Sequence, residues 1–164
     1  TAGDLHNALA NDGPTLVLDV LERYAEDRMR PHKQDDEEAT RAHKLSRVLG
    51  FCDFAHPAAR VANTINGFSP WPGVSATLGS QTLRLLRAAV ASSGAHPSNT
   101  ANELPGAILD PRFGTIRCGG GSTLRLLEVQ AAGRRAQTWR DFANGLRLDP
   151  TEDNRLLPVQ PMGA

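Results

Sequence analysis

The stretch Phe68-Ser69-Pro70-Trp71-Pro72-Gly73 separates two parts of this 164-residue chain that have different sequence patterns. Its two prolines lack backbone N–H donors and push the residues before them out of the helical region, which predicts a rigid connector. The residues before it have helical or loop patterns, whereas residues 74–78 alternate as a strand does. A sheet should therefore begin directly after the connector, with the Trp71 ring covering the mouth of a barrel rather than taking part in catalysis.

The part of the chain after the connector predicts a small barrel. Gly79-Ser80 should close a tight hairpin, and Gly119-Gly120-Gly121-Ser122 should close another, because the Lys-Ser/Thr of a phosphate-binding loop does not follow it. Five short strands with one long loop fit a closed or partly open OB-type barrel better than a sandwich, which needs about seven strands. The predicted strands are residues 74–78, 82–90, 107–109, 115–118 and 123–130, the long loop is 91–105, and a final helix covers 137–144.

The part before the connector predicts helices at residues 4–10, 15–27 and 57–67, the first two separated by Asp12-Gly13-Pro14. The second helix carries an apolar stripe, and no sheet precedes it in this chain. We therefore expect the stripe to pack on a domain outside the chain and to be exposed here. The chain also starts in a helical pattern without Met, which predicts that it is part of a longer protein. The stripe consists of Leu16, Val17, Val20, Leu21 and Tyr24.

Residues 28–54 have the composition of a linker. They contain the acidic run Asp35-Asp36-Glu37-Glu38, which should be a solvated face, and few apolar residues before Leu45. Val48, Phe51 and Phe54 should anchor the end of this linker on the domain that follows.

The net charge of zero conceals a strong asymmetry. Residues 1–56 carry 7 basic and 11 acidic side chains, a balance of −4, and the last 16 residues have a balance of −2. Residues 57–148 carry 10 arginines, no lysine and 4 acidic side chains, a balance of +6. Because the planar guanidinium matches phosphate, a polyanion is the expected partner of this middle region, with ordinary surface solubility as the alternative.

The sequence offers no catalytic, cofactor-binding or metal-binding set. Asp53 and His56 lie close together without a candidate nucleophile, and the five histidines lack metal-ligand spacing. Cys52 and Cys118 have no partner pattern, which predicts free thiols in a reducing compartment such as the cytoplasm. No apolar run approaches the length of a membrane span.

Several stretches, taken in this order and spacing, resemble methionyl-tRNA formyltransferases. Residues 65–73, with the letters INGFSPWPG, are similar to the entry to the C-terminal domain of that family. The resemblance covers nearly the whole chain, with departures at His43, Phe54 and Asn66, where the family usually has Pro, Trp and Arg. The other stretches are residues 1–6, Gln34 with Ala42-His43-Lys44-Leu45, residues 106–109, Gly119-Gly120-Gly121, residues 124–130, Gly133, Arg134-Arg135 and Asp141-Phe142.

The resemblance implies that the parent enzyme transfers a formyl group from 10-formyltetrahydrofolate to the methionine of initiator tRNA. It implies four segments: residues 1–27 as a helical remnant of the N-terminal catalytic domain, 28–54 as the linker, 55–148 as a C-terminal OB domain that holds tRNA, and 149–164 as a tail. The catalytic centre and the folate site would lie in the N-terminal domain, and Lys44 matches a family lysine that lies close to the tRNA.

The residues expected to contact tRNA combine that lysine with arginines of the predicted barrel. Two other classes stay open: a related formyltransferase or folate hydrolase that acts on another substrate, and a free-standing nucleic-acid-binding module. The expected tRNA-binding residues are Lys44, Arg84, Arg87, Arg117, Arg125, Arg134 and Arg135.

Overall fold

The structure, a computed structural model, describes residues 1–91, 104–146 and 154–160. Two compact units divide the chain, Gly3–Leu45 and Ser46–Ala164, with Thr1–Ala2 assigned to the second. Most of the loop predicted at residues 91–105 lies outside the described residues.

The first unit is built on a single helix, α1 (Ala2–Ala25), so the prediction of two helices is wrong. Pro14 lies inside it. A proline removes one hydrogen bond of the helix but has a helical φ, and good helix formers on both sides keep the helix continuous across Gly13-Pro14. No residue of α1 is buried, and the five residues of the predicted apolar stripe are exposed, as expected. The acidic run Asp35-Asp36-Glu37-Glu38 is exposed as well.

The second unit begins with a short 3₁₀ turn, Arg47–Leu49, and the helix α2 (Ala58–Gly67). It continues as one antiparallel sheet of seven strands among the described residues, and the sheet curls into a half-barrel. A short helix, α3 (Trp139–Asn144), follows the sixth strand. The strands are β1 (Val74–Leu78), β2 (Gln81–Val90), β3 (Ile108–Asp110), β4 (Thr115–Arg117), β5 (Thr123–Ala131), β6 (Gln137–Thr138) and β7 (Leu156–Pro158).

The strand order is β3-β4-β5-β2-β1-β7, and β6 pairs with β5. The prediction of a mostly β fold with flanking helices, of the OB type, is confirmed, and all five predicted strands are present within one or two residues. The sequence did not predict β6 or β7, which have only two and three residues. β7 lies in the segment predicted as a tail and covers the edge of β1, with Ala76 opposite Pro158.

The core lies between the inner face of this sheet, α2 and α3. Helix α2 turns Ala58, Val61, Ala62 and Ile65 towards the sheet, and all four are buried. Its N-cap is Pro57, so the helix starts one residue later than the predicted range 57–67. The largest fully buried side chains include Trp139 and Phe54, with Ile, Leu and Val around them. Of the predicted linker anchors, Phe54 is buried and Phe51 partly buried, whereas Val48 is 55% exposed because the 3₁₀ turn directs it to solvent.

The connector between α2 and β1 forms a compact turn. Its Ser69-Pro70 and Trp71-Pro72 peptide bonds are both cis, and the N–H of Gly73 donates to the carbonyl of Phe68 across 2.8 Å. The Trp71 side chain is 50% exposed, so it does not close off the core as the sequence predicted. The buried residue of the turn is Ser69, which is 6% exposed.

Candidate nucleic-acid interface

Arg84 on β2 is held by the connector. Its Nη2 donates to the carbonyl of Pro70 across 2.6 Å and to that of Pro72 across 3.1 Å. A Cβ on Gly73 would clash with the Nε of Arg84, and the φ of Gly73 is +84°, so glycine leaves the space that the guanidinium occupies. Arg84 therefore ties β2 to the connector, which restricts its access to a phosphate.

Arg117 at the end of β4 is 7% exposed. Its Nη1 donates to the carbonyl of Gly121 across 2.8 Å, within the glycine-rich turn between β4 and β5. Ser122 of the same turn accepts from the N–H of Ala58 and so connects the turn to the start of α2. The guanidinium of Arg117 thus stabilises a turn, and the prediction of a hairpin for Gly119-Gly120-Gly121 agrees with this geometry.

Arg87 and the pair Arg134-Arg135 are accessible. The Nε of Arg87 on β2 lies 3.8 Å from Glu128 Oε2 on β5, and both side chains are about two-fifths exposed. Arg134 and Arg135 are exposed in the turn between β5 and β6. Two hydrogen bonds fix the backbone of that turn. Gln130 Nε2 donates to the carbonyl of Arg134, and the N–H of Arg134 donates to the carbonyl of Ala131. Its fixed backbone presents two adjacent cations to solvent.

Arg125 belongs to a second cationic surface that the sequence did not predict. Its Cζ lies 5.6 Å from the centroid of the Phe113 ring, and the Cζ of Arg112 lies 5.5 Å from the same centroid. Both distances allow cation–π attraction. The three side chains line a cavity of about 320 Å³ together with Thr138, Trp139 and Arg140. We call this the Phe113 cavity.

The loop that carries Phe113 is fixed at both ends. Asp110 Oδ1 accepts from the N–H groups of Arg112 and Phe113, at 2.9 and 3.2 Å. The indole N–H of Trp139 donates to the carbonyl of Pro111 across 2.7 Å. Gly114, at φ +67°, lies so close to the Trp139 ring that a Cβ would come within 2.6 Å of it. The rim of the cavity is therefore built on the buried Trp139.

Lys44 lies in the other compact unit, Gly3–Leu45, where it is exposed. The described residues contain no group of three or more His, Cys, Asp or Glu that could hold a metal ion. Among the helices described, none has the length and apolar character needed to cross a membrane.

The two cysteines are free and buried in the same core cluster. Burial raises the pKa of Cys52 from 9.0 to about 12, and the nearby Cys118 and Asp53 act in the same direction. Burial also raises the pKa of Cys118 to about 12, against a backbone hydrogen bond from Leu124 and the charge of Arg117. Both thiols are therefore protonated at neutral pH and unsuited to nucleophilic chemistry.

Residues 44–147 match the sequence pattern of the family described as formyl transferase, C-terminal domain. The chain belongs to this family. A methionyl-tRNA formyltransferase of Caldanaerobacter subterraneus subsp. tengcongensis is 34% identical over 88% of the chain and 45% of its own length. For those of Anaeromyxobacter dehalogenans and Thiobacillus denitrificans the identities are 38% and 37%, over 85% and 90% of the chain and 43% and 46% of their lengths. The chain spans a little under half the length of these relatives.

For this formyl transferase C-terminal domain, the sequence predicted a basic surface but not which of its arginines are accessible. Arg84 and Arg117 are engaged with backbone carbonyls, whereas Arg87, Arg125, Arg134 and Arg135 have more accessible guanidinium groups. Arg112, Phe113 and Arg140 were not predicted as site residues. The dipeptide Arg112-Phe113, in a loop that starts with Asp110-Pro111, is the signal that could have found them, because arginine next to an exposed aromatic residue is common in nucleic-acid sites.

Proposed function

We propose that this chain is the C-terminal, tRNA-binding portion of a methionyl-tRNA formyltransferase, which formylates the methionine amino group on initiator tRNA in translation initiation. The membership of the formyl transferase C-terminal family and the names of the relatives support this proposal. The observation that carries it is the set of accessible arginines on the sheet unit, because the planar guanidinium group matches phosphate and few carboxylates of residues 57–148 compete for it.

In this proposal the predicted residues have two roles. Arg87, Arg125, Arg134, Arg135 and Lys44 meet phosphates of the tRNA. Arg84 and Arg117 hold the connector and the glycine-rich turn, so they shape the surface rather than neutralise phosphate. Contacts to the phosphates of the tRNA position it without reading its sequence, so initiator and elongator tRNAs should bind with similar affinity.

The proposal includes the division of the chain into residues 1–27 as part of a catalytic domain, 28–54 as linker, 55–148 as an OB domain and 149–164 as tail. The partner of the chain is then the N-terminal catalytic domain, in the cytoplasm. That domain binds the formyl donor, 10-formyltetrahydrofolate, as a substrate. We place no step of formyl transfer on residues of this chain.

Fluorescence anisotropy of labelled tRNA, measured with the purified chain over a series of salt concentrations, tests this function. We expect affinity on the order of micromolar or weaker at physiological salt, and a steep decrease as salt increases, since each neutralised phosphate releases close to one counterion. No measurable binding at low salt, or binding that is insensitive to salt, would reject tRNA as the partner. Surface solubility would then be the explanation for the arginines.

A further inference from the structure

The Phe113 cavity combines an exposed aromatic ring with several cations. The Phe113 side chain is 48% exposed although it is large and apolar. The guanidinium groups of Arg112 and Arg125 lie against its ring, and the cavity they share measures about 320 Å³. This volume is at the lower end of the range for small-molecule sites and is sufficient for one nucleotide-sized group.

The cavity concentrates positive charge. Arg112, Arg125 and Arg140 all line it, and within residues 1–91, 104–146 and 154–160 no carboxylate lies within ion-pair distance of any of them. Of the acidic residues close to them in sequence, Asp110 directs Oδ1 to two backbone N–H groups of the loop, and Asp141, next to Arg140, accepts the hydroxyl hydrogen of Thr138 at Oδ2. Like charges on one surface repel each other, so an anion in the cavity would stabilise the arrangement.

The cavity is also prearranged. The hydrogen bond from Trp139 to Pro111, the close approach of Gly114 to the Trp139 ring and the Asp110 turn fix the backbone under Phe113. A ligand would therefore meet a ring and two guanidinium groups that already lie together, with little further ordering of the loop required.

We propose that the Phe113 cavity binds one unpaired nucleotide of the RNA partner, an inference that rests on the proposed tRNA-binding function. The base stacks on the Phe113 ring or on the plane of a guanidinium group that lies over it, and the phosphate accepts hydrogen bonds from Arg112, Arg125 or Arg140. An acidic peptide would use the cations but leave the ring without a planar partner. A fully paired RNA keeps its bases stacked inside the helix, so the cavity selects unpaired nucleotides.

The experiment compares a single-stranded RNA of about eight nucleotides, a length within the site size of one OB domain, with a blunt RNA duplex of the same length. The RNA carries a fluorescent label, and anisotropy is measured with the full 164-residue chain and its variants. Phe113→Ala removes the ring and Phe113→Trp keeps an aromatic surface. Trp71→Leu is the matched control, since Trp71 is 50% exposed and does not line the cavity.

We expect Phe113→Ala to weaken single-stranded RNA roughly 5- to 100-fold, and to change duplex binding and overall tRNA salt dependence little. Phe113→Trp and Trp71→Leu should bind single-stranded RNA like the unaltered chain. A 2-aminopurine base in the single strand should lose fluorescence on binding to the chain and to Phe113→Trp, but not to Phe113→Ala. Thermal unfolding of each variant establishes that it is folded.

The outcomes separate this inference from the proposed function. If tRNA binds with the expected salt dependence while Phe113→Ala binds single-stranded RNA as well as the unaltered chain does, the nucleotide site is wrong and tRNA binding stands. An equal loss in Trp71→Leu, or a poly-glutamate peptide that competes as strongly as the RNA, would also overturn the site. If tRNA does not bind at all, the proposed function is wrong, whatever the result with single-stranded RNA.

Discussion

At the scale of single residues, Asn66 shows how one side chain can replace a strand. β1 pairs with β2 only from Gln81 to Leu85. Three residues further along β2, Asn66 Nδ2 donates to the carbonyl of Ala88 and Asn66 Oδ1 accepts from its N–H, at 2.8 and 2.9 Å. The amide thus satisfies both backbone groups of a buried alanine. The sequence identified Asn66 only as a departure from the Arg that is usual in the family.

Replacement of Asn66 by Ala should lower the free energy of unfolding by about 1–3 kcal/mol, because it leaves the two backbone groups of Ala88 without their partners. Asn63→Ala on the exposed face of the same helix is the matched control and should cost less than about 0.5 kcal/mol. Urea unfolding of the three proteins makes the comparison. Equal stability of the Asn66 and Asn63 variants would contradict the assigned role.

The buried thiols predict a loss of stability at alkaline pH. The folded pKa of each cysteine is about 12, against 9.0 for an ordinary thiol. Below pH of about 9 both states keep their thiol protons, and the contribution to stability is complete. Above it the unfolded chain releases them first, so stability falls by about 1.4 kcal/mol per pH unit for each thiol until the folded thiols titrate as well.

Urea unfolding between pH of about 8.5 and 10.5 measures this slope. The double variant Cys52→Ala, Cys118→Ala should have a shallower slope, whatever its stability at neutral pH. The same steepness with and without the thiols would mean that other groups cause the alkaline loss.

At the scale of elements, alternation predicts the longer strands β1, β2 and β5, and turn residues on their flanks help to predict the three-residue strands β3 and β4. β6 has only two residues and therefore no period, and β7 pairs with β1, which lies far away in sequence, so neither could be predicted in this way. The continuity of α1 across Pro14 could not be predicted from that residue alone either, because the helical turns on both sides outweigh one helix-breaking residue. For the candidate site, the sequence shows the excess of arginine but not the direction of each guanidinium, which the carbonyls around Arg84 and Arg117 decide.

The connector predicts a structural effect for an arginine that the sequence assigned to tRNA. Arg84→Ala removes the hydrogen bonds to Pro70 and Pro72 and should lower the free energy of unfolding by about 1–3 kcal/mol. The exposed Arg134→Ala is the matched control and should change stability by less than about 0.5 kcal/mol. Thermal unfolding of both variants measures the difference. If Arg84→Ala unfolds like the control, the side chain does not hold the connector.

At the scale of the whole molecule, charge and core are distributed unevenly between the two units. The buried core cluster runs from Cys52 to Leu156 and therefore belongs to the Ser46–Ala164 unit. The +6 balance of residues 57–148 lies in the same unit, whereas residues 1–56 carry a balance of −4. The sheet unit thus combines a rigid scaffold with the cationic surface, and a polyanion should bind there rather than on the acidic segment.

The salt dependence of tRNA binding by the double variant Arg134→Ala, Arg135→Ala tests this claim most directly. Its matched control is Arg28→Ala, Arg30→Ala, which removes two exposed arginines from the acidic part of the chain. We predict that the Arg134, Arg135 variant binds initiator and elongator tRNA more weakly to the same degree, and that its plot of log affinity against log salt concentration is flatter by up to about two units. The control should keep the original slope. An unchanged slope in the Arg134, Arg135 variant, or an equal change in the control, would contradict the account.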